Sequence, residues 1–124
     1  MQYQEATDFL EKLRCQRPKL GTETTRQIVS DFDDRQVKID FVQIAGSNGK
    51  GSTARMLEKV LQTAGFDVGL FTSPALFDIR EQIRVNGQEI SKGRITDYIE
   101  NIQTSVERLR SVNDTPTQFE LITA

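Results

Sequence analysis

The chain has 124 residues, 36% apolar and 27% charged, with a net charge of −2 and a pI near 5.2; this composition suits one small globular domain rather than a disordered segment. One cysteine, Cys15, excludes an intrachain disulfide, and the lack of any histidine removes the usual ligand sets of structural zinc. The charge balance provides no overall basic field for nucleic acid, and no segment approaches the length of a membrane span.

Met1 to Leu10 carries Glu5 and Asp8 and has neither a basic start nor a continuous apolar stretch, so no signal peptide is predicted and a cytoplasmic location is expected. Ala6, Phe9, Leu10 and Leu13 recur at helical spacing, as do Ile28, Val29 and Phe32 after the Gly21-Thr22 break. Two helices are predicted, separated at Pro18. Ile39 to Ala45 is an apolar run with β-branched residues and Phe41 that ends at Gly46, the pattern of a buried strand entering a turn.

Leu57, Val60, Leu61 and Ala64 then mark one helical face, and Gly65 stands where a left-handed C-cap is expected. Asp67 to Phe71 reads as a second strand. Strand, tight turn, helix and strand within so short a span predict a βαβ unit with parallel strands and a right-handed crossover. The expected fold class is therefore α/β, a partial P-loop-type parallel sheet flanked by helices.

Further along, Ile83 to Val85 and Gln88 to Ile90 flank Asn86-Gly87, the preferred pair of a type I′ hairpin turn. Ile95, Ile99, Ile102, Val106 and Leu109 predict a helix running to about Arg110, with Ser91 as N-cap and Gly93 in its first turn. Asn113 to Pro116 reads as a loop. Thr117 to Ala124 begins a new element that stops without a cap, so residues 1–124 are expected to be an incomplete N-terminal domain. No repeat or low-complexity tract is visible.

The chemistry is concentrated in Gly46-Ser47-Asn48-Gly49-Lys50-Gly51-Ser52-Thr53, between the first predicted strand and its helix. A glycine-rich turn there presents successive backbone N–H groups to phosphate oxygens, with the lysine for the β/γ-phosphates and a hydroxyl for phosphate or Mg²⁺. The spacing is not that of the standard Walker A loop: Ile44 occupies the place of the first glycine, and Gly51 separates Lys50 from Ser52. The bland alternative is a tight turn with a solvated lysine.

Ile44 to Ser52 resembles the phosphate loop of the folylpolyglutamate and dihydrofolate synthases, V-A-G-T-N-G-K-G-S. Leu70-Phe71-Thr72-Ser73-Pro74-Ala75-Leu76, continuing through Arg80-Glu81-Gln82-Ile83 to Asn86-Gly87, is similar to that family's T-S-P-H-L…R-E-R-I-x-x-N-G segment, and Phe119-Glu120-Leu121-Ile122-Thr123-Ala124 to its F-E-x-x-T-A helix. Peptidoglycan ligases of the wider Mur-ligase group usually read G-T-N-G-K-T-[ST] and lack the second segment, which favours the folate branch.

The resemblance implies an ATP-dependent amide ligase: a folate or dihydropteroate carboxylate is phosphorylated, and the amine of L-glutamate attacks the acyl phosphate. Residues Gly46, Ser47, Asn48, Gly49, Lys50, Gly51, Ser52 and Thr53 would hold the triphosphate, with Lys50 acting on the transferring group. Ser73 and Glu120 match the family's Mg²⁺ ligands, although a Ser-Pro is often only a loop start and a glutamate near a helix start is commonly capping. Asp78, Arg80 and Glu81 either shape a loop around the folate or form surface ion pairs. Two departures are Ala75 and Gln43, which stand where the family commonly has histidine. Another Mur-type amino-acid ligase and a non-catalytic nucleotide-binding remnant are the alternative readings.

Overall fold

The computed structural model describes all residues from Met1 to Ala124, as two compact units: 1–40 with 96–124, and 41–95.

The first unit is helical. It contains α1 (Tyr3–Arg14), α2 (Glu23–Ser30), the greater part of α3 (Lys92–Ser111) and α4 (Gln118–Thr123), with α4 against both α1 and α2. The predicted stripes form its core: Ala6, Leu10 and Leu13 of α1, Ile28 of α2, and Ile99, Ile102, Val106 and Leu109 of α3 are buried together with Leu121. Ser91 caps α3 through its Oγ, which accepts from Arg94 N–H at 3.2 Å. At the other end Asn113 takes a left-handed φ of +58°, and Asp114 N–H reaches back to Leu109 O at 2.9 Å, closing a Schellman turn.

Polar contacts then set the helices against one another. Asp31, just past α2, accepts from Ser105 Oγ at 2.5 Å and from both guanidinium nitrogens of Arg108 at 3.1 and 2.8 Å. Asp114 accepts from Lys19 and from Thr24 Oγ1. Tyr98 donates its hydroxyl to Leu121 O at 2.6 Å, and burial pushes its phenol well above the usual value.

The second unit has one whole helix, α5 (Lys50–Thr63). The strands are β1 (Gly69–Phe71), β2 (Ile83–Val85) and β3 (Gln88–Glu89). Gly65 ends α5 at φ +93°, with Phe66 N–H on Leu61 O at 3.1 Å and Gly65 N–H on Gln62 O at 3.0 Å, the C-cap expected from the sequence. Asn86 and Gly87 have φ of +48° and +80°, so the hairpin turn is of the type I′ class that Asn-Gly favours.

The parallel sheet is not formed by these residues. The three strands lie in the order β1-β2-β3 and both pairings are antiparallel, with Gly69 opposite Val85 and Phe71 opposite Ile83. Ile39 to Ala45 is not a strand; Phe41 and Val42 are 72% and 68% exposed. An apolar β-branched run becomes a strand only where a neighbour takes its N–H and C=O groups, and here no strand pairs with it: the β1 edge away from β2 is left open. The helix itself forms as its apolar spacing predicts, but on it Val60 is 63% exposed, whereas Glu58 is buried. No helix is long and apolar enough to cross a membrane.

Candidate functional site

The glycine-rich segment runs into the first turn of α5, with Gly46 to Gly49 before the helix and Lys50 to Thr53 inside it. Gly49 is the N-cap with a left-handed φ of +75°, a conformation that a side chain would strain. Its carbonyl takes the first helical hydrogen bond, from Thr53 N–H at 3.0 Å. The N–H groups at the start of the helix lack intrahelical acceptors and carry the positive end of its dipole. No acidic residue lies in that first turn to compete for them.

All eight residues from Gly46 to Thr53 are exposed, and Lys50 donates through Nζ to Gly46 O at 2.6 Å. The ammonium thus folds back over the loop rather than pairing with a carboxylate. A Cβ added at Gly49 or Gly51 would meet no atom within 4 Å. Space in front of the backbone is open, and Gly51 is not required by packing against the protein itself.

Ser73 lies beyond β1 in the same unit and is exposed, preceding Pro74 through a cis peptide. Thr72 N–H on Gln82 O, at 2.9 Å, closes the base of this loop. Of the three charged residues singled out here, Asp78 accepts from Arg80 N–H at 2.9 Å and pairs with its guanidinium at 3.0 Å, while Glu81 turns inward to the loop backbone. They shape the loop through local bonds.

Glu120 belongs to the first unit and occupies the third position of α4. Its Oε2 accepts from Thr117 N–H at 2.7 Å, and Thr117 Oγ1 accepts from Glu120 N–H at 3.2 Å. This reciprocal pair is a capping box. Gln43 and Ala75, the two departures from the family pattern in the sequence, are both without ionisable groups.

A buried polar cluster was not foreseen. Glu58 of α5 and Arg84 of β2 form an ion pair, Oε1 to Nε at 3.5 Å, with side chains 6% and 17% exposed. Glu58 Oε1, Arg84 Nε and the neighbouring Gln62 Nε2 have no hydrogen-bond partner, while Arg84 Nη2 donates to Gly87 O. The alternation Ile83-Arg84-Val85 places Arg84 on the opposite face from its neighbours, but nothing local in the sequence identifies Glu58 as its partner.

No family model matches the chain. It is 49% identical over its whole length to a probable bifunctional folylpolyglutamate synthase/dihydropteroate synthase of Halobacterium salinarum, and covers 15% of that protein. To the dihydrofolate synthase/folylpolyglutamate synthase of Bacillus subtilis it is 35% identical over 98% of the chain and 29% of the relative. Among solved structures, the folylpolyglutamate synthetase of Lactobacillus casei matches 99% of the chain and 31% of its own, with TM-score 0.90 and 26% identity. A complex of FPGS with AMPPCP and folate matches with TM-score 0.75 at 26% identity, over 99% of the chain and 30% of its own.

Proposed function

Since this chain belongs to the folylpolyglutamate synthase/dihydrofolate synthase family, we propose that it supplies the triphosphate-binding loop of an ATP-dependent ligase joining L-glutamate to a folate or dihydropteroate carboxylate. The observation that carries this reading is the exposed start of α5, where Gly49 turns the chain and Lys50 holds its ammonium over the loop. Gly51 adds to it: glycine in a helix costs about 1 kcal/mol relative to alanine, and no protein atom within 4 Å requires it. Close approach of phosphate oxygens gives that glycine a use.

In the proposed reaction the γ-phosphoryl group passes to the acceptor carboxylate, and the glutamate amine then displaces phosphate to leave an amide. Backbone N–H groups at Gly49 to Ser52 and the Thr53 hydroxyl would orient the phosphates, and Lys50 would neutralise charge on the transferring group. Ser73 and Glu120 are each assigned to Mg²⁺ on the motif resemblance. Mg²⁺ suits them chemically, since it takes hydroxyl and carboxylate oxygens and completes its shell with phosphates and water. The small-molecule partners are ATP, glutamate and the pterin-bearing acceptor.

AMPPCP, an ATP analogue, and folate accompany one structural relative, which supports both substrate classes. Because the chain spans 15% to 31% of the relatives described above, the 124-residue chain alone is expected to bind ATP weakly and to form no amide. The test is incubation of the gene's complete product with ATP, Mg²⁺, glutamate and either dihydropteroate or folate, read by mass spectrometry. A glutamylated product with matching ADP is expected. ADP formation without a glutamylated product would overturn the ligase reading.

A further inference from the structure

Glu58 is the one buried residue of α5. Met56 and Val60 are exposed, and Leu57 and Leu61 are only half-buried. The deepest hold on this helix is therefore polar, and the hairpin supplies it. Arg84 stands in the middle strand, opposite Leu70 of β1 on one side and Glu89 of β3 on the other. Its Nε faces Glu58 Oε1 at 3.5 Å, and its Nη2 donates to Gly87 O in the turn. One guanidinium thus joins helix, sheet and turn.

A second contact lies one helical turn further along α5. Gln62 follows Glu58 at i+4, on the same face, and its amide abuts Gly87 so closely that a Cβ there would lie 3.1 Å from Nε2. A helix held at one point can pivot, but two holds a turn apart fix the direction of its axis. Lys50 opens α5 about 12 Å along the axis from Glu58, so a tilt of about 5° there moves the phosphate loop by about 1 Å. A misplacement of that size costs about 10²-fold where reacting groups must be aligned.

Apolar burial is non-directional. A guanidinium anchored on Gly87 O is instead a fixed point of charge, to which Glu58 must come. We propose that Glu58 and Arg84 are positioning residues: their ion pair sets the direction of α5 from the hairpin and so aims the glycine-rich turn at the helix start. This rests on the ligase reading above. It gives a use to a buried charge pair that apolar residues of similar volume can often replace without loss of stability.

That replacement is the test. Arg84→Met with Glu58→Leu, made in the gene's complete product, keeps the burial and loses the direction. Its kcat for ligation is expected to fall by about 10–10²-fold, while AMPPCP titrated by calorimetry still binds with full stoichiometry, because the N–H groups at the helix start remain. Glu58→Gln keeps the side chain's size and one acceptor oxygen; its kcat should fall by about tenfold, again at full AMPPCP stoichiometry, and it decides the matter if the double variant does not fold.

Wild-type kcat in the folded variants, or a kcat that falls only in step with AMPPCP stoichiometry, would overturn the positioning role and leave the pair with a structural one. Absence of ligation by the unsubstituted product would overturn the ligase reading itself, and the positioning role with it.

Discussion

The ammonium of Lys50 donates a hydrogen bond of 2.6 Å to the carbonyl oxygen of Gly46, bridging the two ends of the glycine-rich turn. The lysine is exposed and packs against no core residue, so its charge and the fold are separable.

Lys50→Ala is accordingly expected to change stability by no more than about 0.5 kcal/mol, as for other exposed positions. Turnover of the gene's complete product should fall by about 10²–10³, the scale seen when one preorganised stabiliser of transition-state charge is removed. Thermal melting and steady-state ligation at saturating ATP check the two halves. Near-wild-type turnover would remove Lys50 from the chemistry.

The Glu58–Arg84 pair makes a stability prediction. Arg84→Met leaves the buried Glu58 carboxylate without its cation and should cost about 3 kcal/mol. Adding Glu58→Leu should recover most of that loss, because the orphaned charge disappears. Denaturant unfolding of the two variants measures it, and a double variant no more stable than Arg84→Met would show that the charge is not the cause.

Two glycines separate backbone strain from crowding. Gly65→Ala meets open space and should cost about 1–2 kcal/mol from its left-handed φ alone. Gly87→Ala carries the same kind of strain and also brings its Cβ to 3.1 Å from Gln62 Nε2, so its cost should be larger. Combining Gly87→Ala with Gln62→Ala should be less destabilising than the sum of the two, because they share a contact; additive unfolding energies would argue against crowding.

Acid should loosen the first unit. Ser105 and Arg108 hold the Asp31 carboxyl below its usual value, and Lys19 and Thr24 do the same for Asp114. A carboxyl with a depressed folded pKa contributes fully above its unfolded pKa of about 3.9, and that contribution is lost as pH falls through the folded value. Melting temperature should therefore decline as pH drops from about 5 toward 3. Asp31→Asn with Asp114→Asn should flatten this dependence, and an unchanged slope would assign acid sensitivity to other groups.

Several features were legible in the sequence because their causes lie within a few residues. Ser91 before the isoleucine stripe of α3, Gly65 after α5 and Asn86-Gly87 in the hairpin all behave as their local hydrogen bonding and φ preferences require. The glycine-rich turn belongs with them in its geometry: its glycines, lysine and following helix are contiguous, and Gly49 caps that helix. Even so, the exposed face of Val60 showed that a helical stripe identifies an amphipathic helix without identifying what covers it.

Sequence alone determined several helix ends and the hairpin turn, because capping and φ preferences are settled by neighbours along the chain. Only the tertiary structure decided that β1 pairs antiparallel with β2, that Ile39 to Ala45 pairs with no strand, that Glu58 meets Arg84, and that Glu81 gathers three N–H groups. Strand partners and buried ion pairs are choices among distant segments, and even within the Glu81 loop the donors converge only once the backbone has turned. The same apolar run can be a strand or an exposed segment, and the difference is whether another backbone lies within hydrogen-bonding reach.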